Sequence, residues 1–235
     1  MAQIVCRGLL LDMDGVLVDS TSAVARVWSR WATKHNMDAE WVTRQAHGRT
    51  SLASIQALLL HASTAVHQEE DRWMERAEIE DVADVVALPG AKELLSAVLP
   101  DQFAVVTSAT RALAEVRLRA AGLLDLIRHM VTASDIQHSK PDPEPYQKGA
   151  AALRFSPQDC LVVEDASSGV RSGKAAGSRV LAVRTTTPDN ELLGAGADWL
   201  ANDCSSLHLV LGSSPAKLLL ELDDSPTDRR VPRMR

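Results

Sequence analysis

From Leu88 onward the chain alternates between short apolar runs and segments with helical character. The apolar runs include FAVVT, CLVVED and RVLAV, and the segments between them include RALAEVRLRAAG, YQKGAAALR and SSGVRSGKAAG. Strands joined through helices of about ten residues form βαβ units, whose parallel strands are buried on both faces. A similar apolar run, Ile4 to Leu11, stands near the amino terminus. We therefore predict an α/β fold with a doubly wound parallel sheet that includes this first run.

The region between the first apolar run and Leu88 has a helical periodicity instead. Its apolar residues recur at helical spacing in three stretches: Val24, Val27, Trp28 and Trp31; Leu52, Ile55, Leu58 and Leu59; Trp73, Met74 and Ala77. This spacing predicts amphipathic helices. We expect an all-helical domain, residues 19–86, inserted into a Rossmann-like core of residues 1–18 and 87–212. Residues 213–235 are expected to form a flexible tail, with one docking helical turn at its apolar island, Leu218 to Leu220.

The composition is that of a soluble globular protein, with 46% hydrophobic and 24% charged residues. Because the net charge is −6, we expect neither nucleic acid nor an anionic membrane as a partner. We expect a monomer or small homo-oligomer. The cysteines, Cys6, Cys160 and Cys204, are odd in number and widely spaced, which fits a reducing compartment without disulfides. The sequence lacks a signal-peptide pattern and an apolar window of about 18 residues, so a cytoplasmic location is expected.

Two carboxylates end the first apolar run, which reads LLLDMDGVLVDS. Asp12 and Asp14 come directly after it, and Gly15 lets the chain turn. Ligands of open α/β sheets bind beyond the carboxyl ends of the strands, so both carboxylates are expected at that rim. Two neighbouring negative charges there require a cation, and hard oxygen ligands suit Mg²⁺.

Other polar residues follow the later apolar runs. Thr107 and Ser108 come after FAVV, Lys140 lies in the loop SDIQHSKPDPEP, and Glu164 and Asp165 end CLVVED. Each group alone also fits a structural role, as a helix cap or as a solvated loop residue. Their succession at four strand ends favours one shared site.

Taken together, these motifs resemble those of the haloacid dehalogenase-like hydrolases over most of the chain. DMDGVLVDS is similar to the family signature DxDGxLxDS, and VVTSAT, SKPDPEPY and VVEDASSGVRSGKAAG resemble the family's other motifs. Members are mostly Mg²⁺-dependent phosphotransferases. The helical insert resembles the cap domain of the β-phosphoglucomutase-like branch, which closes over the site and selects small substrates.

The resemblance implies a role for each motif residue. Asp12 is implied as the nucleophile that forms an aspartyl phosphate, and Asp14 as the acid that protonates the leaving group and then activates water. Lys140 is implied as the fixed positive charge. The implied phosphoryl ligands are Thr107 and the backbone N–H groups of Ser108 and Ala109, and the implied Mg²⁺ ligands are Asp12, Asp14 (through its carbonyl), Glu164 and Asp165.

A polar turn in the helical insert, AHGRTS, supplies candidate substrate contacts. We predict that His47, Arg49 and Thr50 contact sugar hydroxyls or a second anionic group. Thr50 or Ser51 also fits the N-cap of the following helix, and both roles remain open.

The closest resemblance in function is to sugar-phosphate and polyol-phosphate phosphatases, and we predict hydrolysis of a small phosphorylated metabolite. Phosphoglycolate phosphatase and a β-phosphoglucomutase-type phosphomutase are alternatives. The mutases carry a histidine five residues after the aspartate that matches Asp19, where this chain has Val24, and their cap reads KGxSR rather than HGRTS. From a different class, a receiver-like domain or a non-catalytic phospho-ligand binding protein stays open, although receiver domains are shorter and place the acidic pair before the phosphorylated aspartate.

Overall fold

The computed structural model describes residues 2–46, 49–210 and 217–223. The strands in this part of the chain are β1 (Ala2–Cys6), β2 (Gly8–Leu11), β3 (Val18–Asp19), β4 (Val86–Ala87), β5 (Phe103–Val106), β6 (Met130–Val131), β7 (Cys160–Glu164), β8 (Arg179–Val183), β9 (Trp199–Ala201), β10 (Leu207–Leu209) and β11 (Leu218–Leu222). The α-helices are α1 (Thr21–Lys34), α2 (Ala39–Ala46), α3 (Ser51–Leu58), α4 (Thr64–Glu80), α5 (Ala91–Ala97), α6 (Arg111–Ala120), α7 (Glu144–Ala152), α8 (Ser167–Ala175) and α9 (Asp189–Ala195). Across these described ranges, none of the helices has the length and apolar character that a bilayer crossing requires.

A six-stranded parallel sheet forms the core, in the order β6-β5-β2-β7-β8-β9. Strand β2 lies in the middle, where Leu10 pairs with Ala104 of β5 and Val162 of β7. Leu9 and Leu11 pack into the apolar cluster on one face, while Leu10 packs into the cluster on the other. Since both faces are covered, the strands are apolar throughout, and the prediction of a doubly wound α/β core is confirmed.

The helices α1 to α4 form the predicted helical insert between β3 and β4. They share an apolar core of their own, in which Trp31, Ile55 and Met74 are fully buried. Strands β3 and β4 pair with each other in antiparallel fashion, so the chain leaves the α/β core and returns to it at adjacent points. We call this insert the cap.

The first apolar run differs from its prediction because it forms two strands rather than one. Strand β2 joins the parallel sheet, whereas β1 pairs with β11 in a separate antiparallel sheet that also holds β10. The break falls at Arg7, whose N–H donates to the carbonyl of Asp159. At the next residue, Gly8, a β-carbon would lie 2.9 Å from the side chains of Leu153 and Phe155, so the strand passes too close to them for a larger residue.

The apolar island near the carboxyl terminus is a strand, not the expected helical turn. In β11, Leu218, Leu220 and Leu222 are buried, and the leucine and glutamate between them are partly exposed. This alternation has the period of a strand and covers β1 and β10. The rest of the expected tail, residues 213–216 and 224–235, lies outside the described residues.

Candidate active site

The first motif lies at the carboxyl end of β2, as predicted. The Asp12 N–H donates to the carbonyl of Val163 on β7, so the chain is still aligned with the sheet at this point. Gly15 then adopts φ +78°, a left-handed conformation that favours glycine. A β-carbon at this residue would lie 2.1 Å from Oδ2 of Asp165. Glycine therefore lets the first motif turn tightly against the fourth.

Lys140 is enclosed beneath the motif and is only 4% exposed. Its Nζ lies 3.0 Å from Oδ1 of Asp12 and 2.7 Å from Oε1 of Glu164, and it donates to the carbonyl of Val106 at 3.1 Å. Burial alone would lower the pKa of the ammonium, but Asp12 and Glu164 raise it above its ordinary value. Lys140 thus carries a fixed positive charge beside Asp12.

Glu164 is fully buried, and contacts engage both of its carboxylate oxygens. Oε1 accepts from Lys140 and from the hydroxyl of Tyr146 at 2.8 Å, while Oε2 accepts from the N–H groups of Asp165 and Ala166, both at 3.0 Å. Burial favours the neutral acid, yet Lys140 and these hydrogen bonds hold the pKa of Glu164 below its usual value. The side chain is therefore an ionised support for Lys140.

Three carboxylates lie close together beside Lys140. Oxygens of Asp12, Glu164 and Asp165 lie within 4.8 Å of one another, and all three residues are buried. Burial raises the pKa of Asp12 to about 7 despite the opposing effect of Lys140. Burial, together with Glu164 and Asp12, also raises the pKa of Asp165 well above its usual value. A cluster that gathers this much negative charge around one ammonium fits a divalent cation, and its hard oxygen donors suit Mg²⁺.

The Asp14 side chain points to a different set of partners. Ser20 donates its hydroxyl proton to Oδ1 at 2.6 Å, and Nη1 of Arg117 donates to Oδ2 at 3.0 Å. The other guanidinium nitrogen of Arg117, Nη2, lies 3.4 Å from Oε1 of Glu78 on the cap helix α4. Asp14 therefore connects the core motif to the cap through one arginine.

Sequence reasoning missed Arg117 and Glu78, although the sequence carries a signal for the first. Arg117 follows Leu113 by four residues and precedes Leu118, so it occupies the apolar face of α6. A charged residue on that face requires a buried partner. The same argument applies to Glu78, which is buried on α4 beside Ala77.

The second motif follows β5. Thr107 is buried, and its Oγ1 accepts from the N–H of Ala109 at 3.1 Å. Thr110 caps α6, where its hydroxyl accepts from the N–H of Leu113, and it also donates to Glu75 of the cap at 2.5 Å. The turn between strand and helix therefore presents Ser108 and Ala109 at the same rim as Asp12.

A cavity of about 590 Å³ separates these core loops from the cap. The lining residues of the core include Asp12, Asp14, Thr107, Ser108, Ala109, Thr110, Arg117 and Asp165, and those of the cap include Trp28, Ser29, Thr43, Arg44, Arg49, Ser51, Glu75 and Glu78. Lys140 and Glu164 lie beneath the cavity rather than in its lining. Four predicted motifs are thus brought together below one opening.

The three cap residues predicted to contact substrate have different positions. Arg49 lines the cavity. Thr50 is not among the lining residues, and its Oγ1 caps α3 by accepting from the N–H of Ala53 at 3.2 Å. His47 lies outside the described residues.

A sequence profile of the haloacid dehalogenase-like hydrolases matches residues 9–183, and the chain belongs to this family. Its relatives include hexitol phosphatase A of Escherichia coli (strain K12), which is 41% identical over 76% of this chain and 83% of the relative. Validoxylamine A 7'-phosphate phosphatase of Streptomyces hygroscopicus subsp. limoneus is 34% identical over 85% of this chain and 94% of the relative. The chain is accordingly a phosphoric monoester hydrolase.

Among solved structures, the fold is similar to that of β-phosphoglucomutase from Clostridium difficile. The TM-score is 0.76 at 20% sequence identity, and the match covers 86% of this chain and 93% of the other. At this identity the likeness concerns the fold alone, a Rossmann-like core with an inserted cap.

Proposed function

We propose that this protein is a Mg²⁺-dependent phosphatase of a small polyol phosphate or sugar phosphate, acting through an aspartyl phosphate on Asp12. The observation that carries the proposal is the buried cluster of Asp12, Lys140 and Asp165 directly below a cavity that the cap covers. Phosphoryl transfer depends on placement and charge neutralisation more than on covalent assistance, and this cluster offers both.

Each residue has a role in that reaction. Asp12 attacks phosphorus, while Lys140 neutralises charge on Asp12 and on the phosphoryl oxygens. Asp14 gives a proton to the leaving oxygen and later takes one from the attacking water. The Thr107 hydroxyl and the N–H groups of Ser108 and Ala109 hold the phosphoryl group.

The metal ligands we propose are the carboxylates of Asp12 and Asp165 and the backbone carbonyl of Asp14. Glu164 was also expected among the ligands, but its oxygens already accept from Lys140, Tyr146 and two backbone N–H groups, so we assign it to holding Lys140 in place. A bound Mg²⁺ would neutralise negative charge on the phosphoryl group and on the cluster.

The cavity supports a substrate with several hydroxyl groups. Its cap side offers the carboxylate of Glu75, the hydroxyls of Ser29, Thr43 and Ser51, and the guanidinium groups of Arg44 and Arg49. Hydrogen-bond donors and acceptors placed around a cavity with the volume of a small-molecule site suit a polyol chain. The relative named hexitol phosphatase A also supports a polyol phosphate as the substrate.

The proposal is tested by measuring phosphate release and kcat/KM with Mg²⁺ on hexitol 6-phosphates, glycerol phosphate, 2-deoxyglucose 6-phosphate and phosphoglycolate. We expect the highest kcat/KM on a polyol or sugar phosphate, and loss of turnover in Asp12→Asn, which keeps the shape but removes the nucleophile. Conversion of β-glucose 1-phosphate to glucose 6-phosphate without phosphate release would instead establish a phosphomutase.

Two lysines provide a matched control for the charge beside Asp12. Lys140→Met removes the buried ammonium and is expected to abolish turnover. Lys148→Met removes a half-exposed ammonium that pairs with Glu144 at 2.8 Å, away from the cavity, and is expected to keep it. Equal activity of the two variants on every substrate would contradict the assigned role of Lys140.

A further inference from the structure

Arg117 joins two carboxylates that belong to different parts of the protein. Asp14 lies in the first core motif, Glu78 lies on the cap helix α4, and the guanidinium lies between them. Arg117 is 4% exposed and Glu78 is 7% exposed. Because α4 packs against α6, this ion-pair chain crosses the contact between cap and core at the edge of the cavity.

Two hydrogen-bond donors restrict the orientation of the Asp14 carboxylate. Ser20 donates to one of its oxygens and Arg117 to the other, so the direction of the carboxylate depends on where the guanidinium stands. Arg117 in turn has a second anchor, Glu78, on the cap. A guanidinium held at two points in a fixed plane orients a carboxylate better than a single flexible charge does.

We propose that Arg117 is a positioning residue that aims the Asp14 carboxylate at the leaving-group oxygen, and that Glu78 holds Arg117 from the cap side. The inference rests on the acid/base role proposed above for Asp14. Arg117 itself transfers no proton.

The inference concerns one step of the reaction. As the Asp12 carboxylate forms its bond to phosphorus, the bond from phosphorus to the leaving oxygen breaks, and the proton of Asp14 moves to that oxygen. In the second step water attacks phosphorus and gives its proton back to Asp14, and the bond to Asp12 breaks with release of phosphate. Only the first step depends on the basicity of the leaving group, because a poor leaving group requires the proton and a good one does not.

The test is therefore the dependence of kcat/KM on the leaving group, since kcat/KM reports the steps through formation of the phosphoenzyme. The substrates are 4-nitrophenyl phosphate, phenyl phosphate and glycerol phosphate, in order of increasing need for the proton. In Arg117→Gln we expect kcat/KM to fall slightly on 4-nitrophenyl phosphate. On glycerol phosphate we expect it to fall further, by an additional factor of about 100, which is the lower end of the range for general acid catalysis. Arg117→Lys and Glu78→Gln are expected to lie between this variant and the natural protein.

The result is expressed as the ratio of kcat/KM on glycerol phosphate to kcat/KM on 4-nitrophenyl phosphate. This ratio is independent of how much of the preparation is folded, so destabilisation of Arg117→Gln does not obscure the result. Arg111→Gln is the matched control, because Arg111 begins the same helix and pairs at the surface with Asp135. Glu70→Gln is the control for the cap, because Glu70 lies on the same helix α4 as Glu78 but contacts Trp31 and Lys34 within the cap rather than Arg117. Both controls are expected to keep the ratio of the natural protein, whatever the level of activity.

An equal loss of kcat/KM on all three substrates in Arg117→Gln would overturn the inference. A change in the ratio with Glu70→Gln as large as that with Glu78→Gln would overturn it as well. Asp14→Asn separates this failure from failure of the proposed function. If Asp14→Asn keeps the ratio of the natural protein, the acid/base assignment of Asp14 is wrong. If Asp14→Asn changes this ratio while the Arg117 variants leave it unchanged, only the inference about Arg117 is wrong.

Discussion

Single residues determine how closely the four motifs approach one another. Gly15 and Gly169 stand where any β-carbon would overlap a carboxylate of the site, Asp165 in the first case and Glu164 in the second. The buried ammonium of Lys140 then holds Asp12 and Glu164 within about one hydrogen-bond length. At this scale the site is shaped by small residues around one cation, and its geometry depends on space that only glycine leaves.

Replacing Gly169 with alanine tests this dependence. A β-carbon would lie 1.6 Å from Oε1 of Glu164, so Glu164 must move and Lys140 must move with it. We expect kcat/KM to fall by about 100-fold, as for a displacement of about 1 Å in a reacting constellation. Gly194→Ala in α9 is the matched control, since a β-carbon there has nothing within 4 Å. It should keep full activity and gain about 0.5 kcal/mol of helix stability. Equal kcat/KM for the two variants would contradict the role given to Gly169.

The strands and helices could be predicted from the sequence where the local apolar pattern matches the burial of the element in the fold. Strands β2, β5 and β7 are buried on both faces and are therefore apolar runs, and the polar residues at their carboxyl ends are predicted as part of the site. The break at Arg7 and the strand β11 were not predicted, because both depend on residues distant in sequence: Asp159 for the break, and β1 for the strand. The partners of Arg117 were not predicted for the same reason, since Glu78 and Asp14 are 39 and 103 residues away in the sequence.

The unpredicted strand β11 is expected to matter for stability. Leu220 is fully buried in the main apolar cluster, whereas its neighbour Leu219 is partly exposed on the opposite face. Leu220→Ala should lower the free energy of unfolding by about 2–5 kcal/mol, and Leu219→Ala by about 1 kcal/mol or less. Urea unfolding followed by far-ultraviolet circular dichroism measures both. Similar midpoints for the two variants would mean that β11 does not cover the core.

The cap has a polar anchor of its own, Glu70 of α4. Its carboxylate accepts from Trp31 at 3.0 Å and from Lys34 at 2.7 Å, and it pairs with His35. Although burial opposes ionisation, these partners hold the pKa of Glu70 below its usual value. Glu70→Gln should therefore lower the free energy of unfolding by about 1–3 kcal/mol at neutral pH, while the exposed neighbour Glu69→Gln should change it by about 0.5 kcal/mol or less.

The pH dependence of this difference has a definite sign. Because the folded-state pKa of Glu70 is lowered, the unfolded chain binds more protons near that pKa, and the stability due to Glu70 declines as the pH falls. The difference between the natural protein and Glu70→Gln should be full above about pH 5 and smaller at pH 3. Urea midpoints at both pH values measure it, and a difference that grows on acidification would contradict the assignment.

At the scale of the whole molecule, the core gathers negative charge where the cap covers it. Asp12, Asp14 and Asp165 line the cavity from the core side, and Glu164 lies beside Asp12 and Asp165 below the lining. The cap adds Glu75 and Glu78 together with two arginines. The cations that balance the core carboxylates in the described structure are Lys140 and Arg117, which face different carboxylates. A divalent cation is therefore expected to contribute to the stability of the whole fold as well as to activity.

Thermal unfolding tests where that cation binds. A ligand present at about 100 times its Kd stabilises the native state by about 2.7 kcal/mol, which for a chain of this size corresponds to a rise in Tm of about 5–10 °C. We expect Mg²⁺ to raise Tm of the natural protein by this amount and to leave Asp165→Asn unchanged. The matched variant is Asp142→Asn, because Asp142 belongs to a second group of possible ligands, with His138 and Glu144, that lies outside the cavity. If Mg²⁺ still shifts Tm in Asp165→Asn but not in Asp142→Asn, the cation binds at the outer group and the proposed metal ligands are wrong.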